Sequence, residues 1–96
     1  MKKLIFEWND IKNESNQTKH SVSFEEAQIV FFDERAIQFD DPDHSIDEER
    51  FLLLGFSQRL KVLVVCHCYR SDEFIIRIIS ARKATKNEQK VYFRRP

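Results

Sequence analysis

Residues 74–92, FIIRIISARKATKNEQKVY, decide how the rest of the chain is organised. The stretch opens with four isoleucines, and β-branched residues at this density predict a strand. The apolar run stops at residues 80–82. Thr85-x-x-Glu88 then has the spacing of a capping box, in which each side chain hydrogen-bonds backbone of the first helical turn. A buried strand is therefore expected to lead into a polar C-terminal helix.

Two arginines mark this transition. Arg77 interrupts the isoleucine strand, and an unpaired guanidinium inside an apolar strand is costly, so it needs a partner. That partner is either a carboxylate such as Glu49, which would make Arg77 a clamp of the fold, or an anionic ligand. Arg82 is expected on the exposed junction between strand and helix, where a functional role is favoured.

The remaining patterns predict an α+β fold. Strands are predicted over residues 3–8, 35–40, 50–56 and 61–69, and helices over residues 10–19 and 23–32. Short turns between consecutive strands favour a mostly antiparallel sheet of four to five strands, packed against two N-terminal helices and closed by a C-terminal helix. The first helix, which Asn9 can cap, is polar with Ile11 almost its only apolar contact, so it is expected to lie loosely on the surface. The second opens with another capping box, Ser23-x-x-Glu26, and should cover one face of the sheet.

Length and composition limit the possible classes of protein. The chain has 96 residues, 42% of them hydrophobic, which suits one domain over residues 1–96 with a modest core. It contains one glycine, which argues against a glycine-rich phosphate loop. No apolar run approaches the roughly 20 residues of a membrane span. We therefore expect a cytoplasmic protein without membrane association.

Charge is balanced overall but segregated along the chain. The formal net charge is zero, which by itself argues against a nucleic-acid binder. Residues 33–50 nevertheless carry eight acids and two bases, whereas residues 57–96 carry ten bases and three acids. This segregation indicates either a surface for phosphate or an acidic partner, or two solvated halves that attract each other.

Cys66-His67-Cys68 suggests a metal site at first sight. Adjacent strand residues point to opposite faces, so the two cysteines should share one face and His67 the other. Structural zinc sites favour ligands from turns at wider spacing, so two cysteines packed beneath a helix are the favoured interpretation. In simple register with the next strand, Arg77 would share the face of His67. No metal or cofactor is predicted.

Several motifs together carry a family resemblance. They are the string from Arg77 to Thr85 with Glu88 and Tyr92, and, before it, Phe6-Glu7-Trp8, Asn16-x-x-Lys19-His20, Val22-Ser23-Phe24-Glu25-Glu26-Ala27, Asp41-Pro42-Asp43-His44-Ser45 and Glu49-Arg50-Phe51. In order and spacing they resemble the BrnT family of bacterial ribonuclease toxins, which implies a RelE-like fold. The resemblance also implies translation inhibition by cleavage of mRNA, and neutralisation by a cognate BrnA-like antitoxin. That antitoxin binds DNA, so the toxin would meet DNA only indirectly.

Cleavage of RNA without a metal requires proton transfer at the ribose 2′-OH and at the leaving oxygen, and cations that stabilise the phosphate. Arginine suits the last task because its fork can grip two phosphate oxygens. The catalytic candidates are Arg77, Arg82, His20, Glu49 and Tyr92, and the candidates for RNA contact are Lys19, His67, Lys83 and Lys86. Matching motif positions support Lys19, His20, Arg77 and Arg82 first, with Glu49 and Tyr92 after them.

Structural alternatives stand beside these roles. His20 can simply end its helix, where a cation suits the dipole. Tyr92 can be a packing residue with a polar tip, and Glu49 part of an exposed ion pair. At the level of the whole protein, the alternative to an endoribonuclease toxin is a non-catalytic module that binds a partner protein. In either case the antitoxin is expected to cover the basic surface near Arg82 and the last helix.

Overall fold

A computed structural model of the chain describes residues 3–41, 48–70 and 74–94. In chain order the elements are β1 (Ile5–Glu7), α1 (Asp10–His20), α2 (Phe24–Ala27), a 3-10 helix (Gln28–Phe32), β2 (Ile37–Asp40), β3 (Phe51–Phe56), β4 (Val62–Arg70), β5 (Ile75–Lys83) and α3 (Lys86–Phe93). Most of the acidic Asp-Pro-Asp-His-Ser motif, and residues 71–73 of the connection between β4 and β5, lie outside the described ranges.

The strands of the described ranges form one five-stranded sheet in the order β1-β5-β4-β3-β2. Strands β2 to β5 pair antiparallel, as the short turns between them predict, and β1 pairs parallel with β5. The predicted α+β class, with a mostly antiparallel sheet and its helices in this order, is confirmed. Two predicted elements differ from the structure. β5 does not stop at Ser80 but continues to Lys83, and the helix predicted over residues 23–32 is a four-residue α-helix followed by a 3-10 helix.

The two faces of the sheet carry separate apolar clusters. On the helical face, Phe24 of α2 and Val30 of the 3-10 helix pack on the sheet with Leu63, Val65 and Ile78. On the opposite face, α3 covers one end of the sheet, where Tyr92 packs with Leu54, Val62, Val64 and Ala84. The eight-residue α3 leaves the rest of this second face to other groups, and that face carries the candidate site.

Helix α1 is fastened to the sheet by two buried asparagines. The Asn16 amide donates to the carbonyls of Val22 and Ala81, both at 2.8 Å, and its oxygen accepts from the Ala81 N–H at 3.1 Å. The Asn13 oxygen accepts from the Phe24 N–H at 2.9 Å. The prediction of a loosely held helix is therefore wrong: Ile11, its expected apolar contact, is 77% exposed, and polar anchors replace it.

Helix starts follow the predicted caps, with one difference. Asn9 and Thr85 cap α1 and α3, and Thr85 forms the complete reciprocal box with Glu88. Ser23 caps α2 by accepting from the Glu26 N–H, but the Glu26 carboxylate instead accepts a 2.8 Å hydrogen bond from the buried Ser57 hydroxyl. The second capping box is thus half-formed, because its acidic member ties α2 to the turn after β3.

Candidate active site

A β-bulge in β5 places Arg77 and Arg82 on the same face of the sheet. Cys66 pairs with Ser80 and His67 with Ile78, so Ile79 is an extra residue in β5. Five residues apart in a regular strand, the two arginines would point to opposite faces. With the bulge, Arg77 pairs with Cys68 and Arg82 with Val64, which are four residues apart on β4 and so share a face.

Glu88 holds the Arg82 guanidinium on that face. Arg82 Nη1 donates to Glu88 Oε1 at 2.8 Å and Nη2 donates to Oε2 at 3.0 Å. This hydrogen-bonded pairing with Arg82, aided by the Thr85 N–H, lowers the pKa of Glu88 to about 2 despite partial burial, and it raises the pKa of Arg82. The side chains are 40% and 32% exposed, so the pair remains at the surface.

Arg77 is paired with Glu7 and not with Glu49. Its Nη1 lies 3.4 Å from Glu7 Oε2, and the same oxygen lies 3.9 Å from Arg70 Nε. These side chains are between 34% and 46% exposed, and ion pairs at such sites contribute little net free energy. Arg77 is therefore a partly exposed cation whose carboxylate partner an incoming phosphate can replace.

The two guanidinium groups do not converge on one point. Because Arg77 and Arg82 pair with β4 residues four positions apart, their Cα atoms are separated by roughly 13 Å at the rise of an extended strand. Each group also points to its own carboxylate, at opposite ends of the shared face. In this arrangement each guanidinium is held by a different carboxylate, so the two groups are not gathered around a single point.

Because β1 pairs only with residues 75–77 of β5, the later residues of β5 have an open edge on that side. A groove between α1 and this open edge adjoins the face of the arginines. It encloses about 190 Å³ and is lined by Lys12, Ser15, Asn16, Lys19, His20, Ile79 and Ser80. Lys19 and His20 are exposed in the last turn of α1, where the helix dipole favours cations. Ser80 belongs both to the groove and, through its pairing with Cys66, to the face of the arginines. Ser80, beside the bulge, thus connects the groove to the face of the arginines, although neither arginine lines the groove.

Ser80 is a site residue that the sequence analysis did not single out. The signal was present, since a serine after four β-branched apolar residues marked the point where the pattern changed. By itself, a break in the apolar pattern predicts the end of a strand. A bulge produces the same break in alternation, and only the pairing with β4 distinguishes the two.

His67 lies on the other face of the sheet and is fully buried. Its ring packs edge-on against Phe31, with the ring centroids 4.8 Å apart. Its Nδ1 lies 3.2 Å from the Val65 carbonyl oxygen, and its Nε2 lies 3.3 Å from Gln38 Oε1. Burial lowers its pKa, so the ring is neutral at pH 7. The expected common face of His67 and Arg77 is wrong, because His67 pairs with Ile78 whereas Arg77 pairs with Cys68, and burial removes His67 from RNA contact.

The other candidates are placed apart from the groove. Tyr92 is 5% exposed, and its hydroxyl donates a 2.6 Å hydrogen bond to Asp33, as the packing alternative predicts. Glu49 is exposed just before β3, and Lys83 and Lys86 are exposed around the start of α3. Of the proton-transfer candidates His20, Glu49 and Tyr92, His20 alone is both exposed and part of the groove.

Cys66 and Cys68 are free, buried thiols on the face of the arginines. Burial, together with the nearby Asp41 carboxylate, raises the pKa of Cys66 to about 11, so it is a neutral thiol at pH 7. Across the described ranges, no three His, Cys, Asp or Glu side chains come together as ligands for a metal ion.

Comparison with known proteins places this arrangement in a family. The family model described as "Ribonuclease toxin, BrnT, of type II toxin-antitoxin system" matches residues 8–88. The chain belongs to the BrnT family. The chain is also similar in structure to the Brucella abortus ribonuclease toxin BrnT, whose crystal structure superposes with a TM-score of 0.64 at 22% identity, over 90% of this chain and all of that one. None of the curated proteins matches the sequence significantly.

Membership of the BrnT family gives the site its context. The family consists of ribonuclease toxins of type II toxin–antitoxin systems, which implies RNA as substrate and an antitoxin as partner. Among the described helices, none combines the length and the apolar character needed to cross a bilayer.

Proposed function

We propose that this chain is an endoribonuclease toxin, a single domain that cleaves mRNA without a metal ion and so inhibits translation. A cognate BrnA-like, DNA-binding antitoxin neutralises it. The observation that carries the proposal is the bulge at Ile79, which unites Arg77 and Arg82 on one face beside the groove of Lys19 and His20.

In the proposed reaction, the ribose 2′-oxygen attacks the adjacent phosphorus and displaces the 5′-oxygen of the next nucleotide. The products are a 2′,3′-cyclic phosphate and a 5′-hydroxyl. His20 accepts the proton of the 2′-OH and then donates a proton to the departing 5′-oxygen, because it is the proton-transfer candidate that the groove exposes. Lys19 and Arg82 stabilise the negative charge that develops on the phosphate oxygens.

Arg82 keeps donors for a phosphate even while Glu88 holds it. A guanidinium has five N–H donors. Arg82 uses Nη1 twice, toward Glu88 and the Lys83 carbonyl, and Nη2 once, toward Glu88. Within the described ranges, the Nε–H and one Nη2–H have no protein acceptor. These two donors form one edge of the guanidinium, which suits bidentate binding of phosphate oxygens.

The test is cleavage of a defined RNA by purified protein in excess EDTA. We expect cleavage by the wild type and its loss in Arg82→Ala and His20→Ala, with a smaller loss in Arg77→Ala. Arg59→Ala, which removes an exposed cation from the β3–β4 turn, is the matched control for charge. Arg82→Lys keeps the charge but not the fork, and should also be impaired. Full activity of a folded Arg82→Ala protein would refute the role of Arg82.

A second candidate is a non-catalytic module that binds a partner protein. The observation that favours it is the occupation of both guanidinium groups by carboxylates, together with the zero net charge of the chain. The same assay separates the two. Inactivity of the wild type toward RNA in both the presence and the absence of Mg²⁺, combined with tight antitoxin binding, would favour the module.

A further inference from the structure

The outer side of α3 carries a row of like charges that the fold does not use. Lys86, Lys90 and Arg94 are spaced four residues apart, so they lie one above another on the helix and its C-cap. All three are exposed, and within the described ranges none forms an ion pair. Like charges at this spacing destabilise a helix, and Lys86 also opposes the dipole at the helix start. A partner with negative charge would remove both penalties.

An apolar cavity lies at the foot of the same helix. It lies between α3 and the sheet and has a volume of about 260 Å³. Its lining is formed by Glu88 and by the apolar residues Phe39, Leu52, Leu54, Val64 and Val91. Phe39 and Val91 at its mouth are 44% and 49% exposed, and Phe93 on the other flank of α3 is 59% exposed. Exposed apolar side chains around a pocket are typical of protein-binding surfaces.

We propose that α3 and this cavity form the docking surface for the antitoxin, which contributes an acidic amphipathic segment. An apolar side chain of the segment fills the cavity, and its carboxylates lie along Lys86, Lys90 and Arg94. This inference rests on the proposed function in one respect, because it assigns the partner of a ribonuclease toxin to a surface next to the toxin's own site.

A protein segment fits this surface better than RNA does. A nucleobase is recognised through hydrogen bonds at its edges, and the cavity offers only the Glu88 carboxylate, which is anionic and already bound to Arg82. The cations lie on the exposed face of α3 next to the cavity mouth, where Arg94 is the i+3 neighbour of Val91, and their spacing is one that acidic residues on a helix can match. The charge of the surface therefore selects an acidic partner, and the cavity selects an apolar anchor.

Docking there would also inhibit the toxin. Glu88 lines the cavity and holds Arg82 with the same carboxylate, so a segment bound at Val91 lies beside the guanidinium that we assign to the substrate. A bound segment would block the approach of RNA to Arg82 without contacting His20. The antitoxin and RNA are then expected to exclude each other.

The test uses Val91→Asp, which places a carboxylate at the mouth of the cavity. Val91 is half exposed and has no role in the proposed chemistry, so RNA cleavage should be unchanged. Binding of the purified cognate antitoxin should weaken about tenfold or more by calorimetry, and neutralisation should fail. Ile11→Asp, a matched change at an exposed apolar residue of α1, should bind as the wild type does.

A charge-reversal variant tests the role of the cations on α3. Lys86→Glu/Lys90→Glu should weaken antitoxin binding and reduce its dependence on salt. Wild-type affinity of Val91→Asp would overturn the proposal. The proposal would also be overturned if either variant bound an uncleavable 2′-deoxy oligonucleotide less tightly while its antitoxin binding stayed intact. That result would assign the surface to nucleic acid. Loss of a wild-type dimer in Val91→Asp with antitoxin binding intact would assign it to a second copy. If the wild type cleaves no RNA, the binding measurements still decide this inference.

Discussion

Arg82 and Glu88 form a two-point ion pair that joins the last residues of β5 to the first turn of α3. The distances are 2.8 Å for Nη1–Oε1 and 3.0 Å for Nη2–Oε2, and Glu88 Oε1 also accepts from the Thr85 N–H at 2.8 Å. One carboxylate therefore caps the helix and holds the guanidinium. The candidate site and the attachment of α3 thus depend on the same side chain.

This dependence predicts a loss of stability in acid. Pairing with Arg82 depresses the pKa of Glu88 from 4.5 to about 2. A depressed carboxyl pKa stabilises the folded state fully above the unfolded pKa, and the contribution is lost as the pH falls through the folded value. The difference in thermal stability between wild type and Glu88→Gln should therefore be largest above pH 4.5 and shrink toward pH 2.

The matched control is Glu14→Gln, which neutralises an exposed carboxylate on α1. It should follow the wild type across the whole pH range. A Glu88→Gln protein whose difference from the wild type is constant between pH 4.5 and pH 2 would show that the pair does not stabilise the fold.

Asn16 should be among the residues most sensitive to truncation on α1. Its amide makes three hydrogen bonds to backbone, two of them to Ala81 at the open edge of β5. Asn16→Ala leaves these buried groups without partners and should cost about 2–4 kcal/mol in chemical denaturation. Gln17→Ala, one residue along on the exposed side, should stay within about 0.5 kcal/mol of the wild type. Equal effects of the two changes would contradict the anchoring role.

Replacing Ser21 with glycine should stabilise the protein. It follows α1 in the left-handed region, with φ of 59°, which an L-residue adopts at a cost and glycine does not. Ser21→Gly should raise stability by about 0.5–1 kcal/mol in thermal unfolding. The same substitution at Ser15, inside α1, should lower it because glycine weakens a helix interior. A destabilised Ser21→Gly would mean that the serine side chain makes a compensating contact.

Gly55 should not tolerate a side chain. A Cβ at this position of β3 would lie 2.8 Å from Val30 Cγ1 and 3.0 Å from the Ala36 Cβ. Gly55→Ala should therefore destabilise by about 1–3 kcal/mol. Adding Val30→Ala removes the closest atom, so the double variant should be less destabilised than the sum of the two single changes. Strict additivity would show that the strand relieves the clash by another movement.

Secondary structure was predictable wherever local chemistry decides it. The isoleucine run, the Thr85–Glu88 box and the Asn9 cap each specify an element through contacts within a few residues, and each formed near its predicted position. The exception is the end of β5, which the sequence placed at residues 80–82. A strand end and a bulge both break the alternation of side chains, so the sequence cannot distinguish them.

The sequence by itself determined the element order, the α+β class, the family and the residue types that could bind a phosphate. The tertiary structure alone decided which of them meet. The bulge in β5 opposite Cys66 and His67 brought Arg77 and Arg82 to one face. The helices cover the face of β4 that carries Leu63, Val65 and His67, so His67 is buried, and Glu7 rather than Glu49 became the partner of Arg77. The reason is physical: the direction of a side chain in a strand depends on its register with the neighbouring strand, and one inserted residue reverses every side chain beyond it.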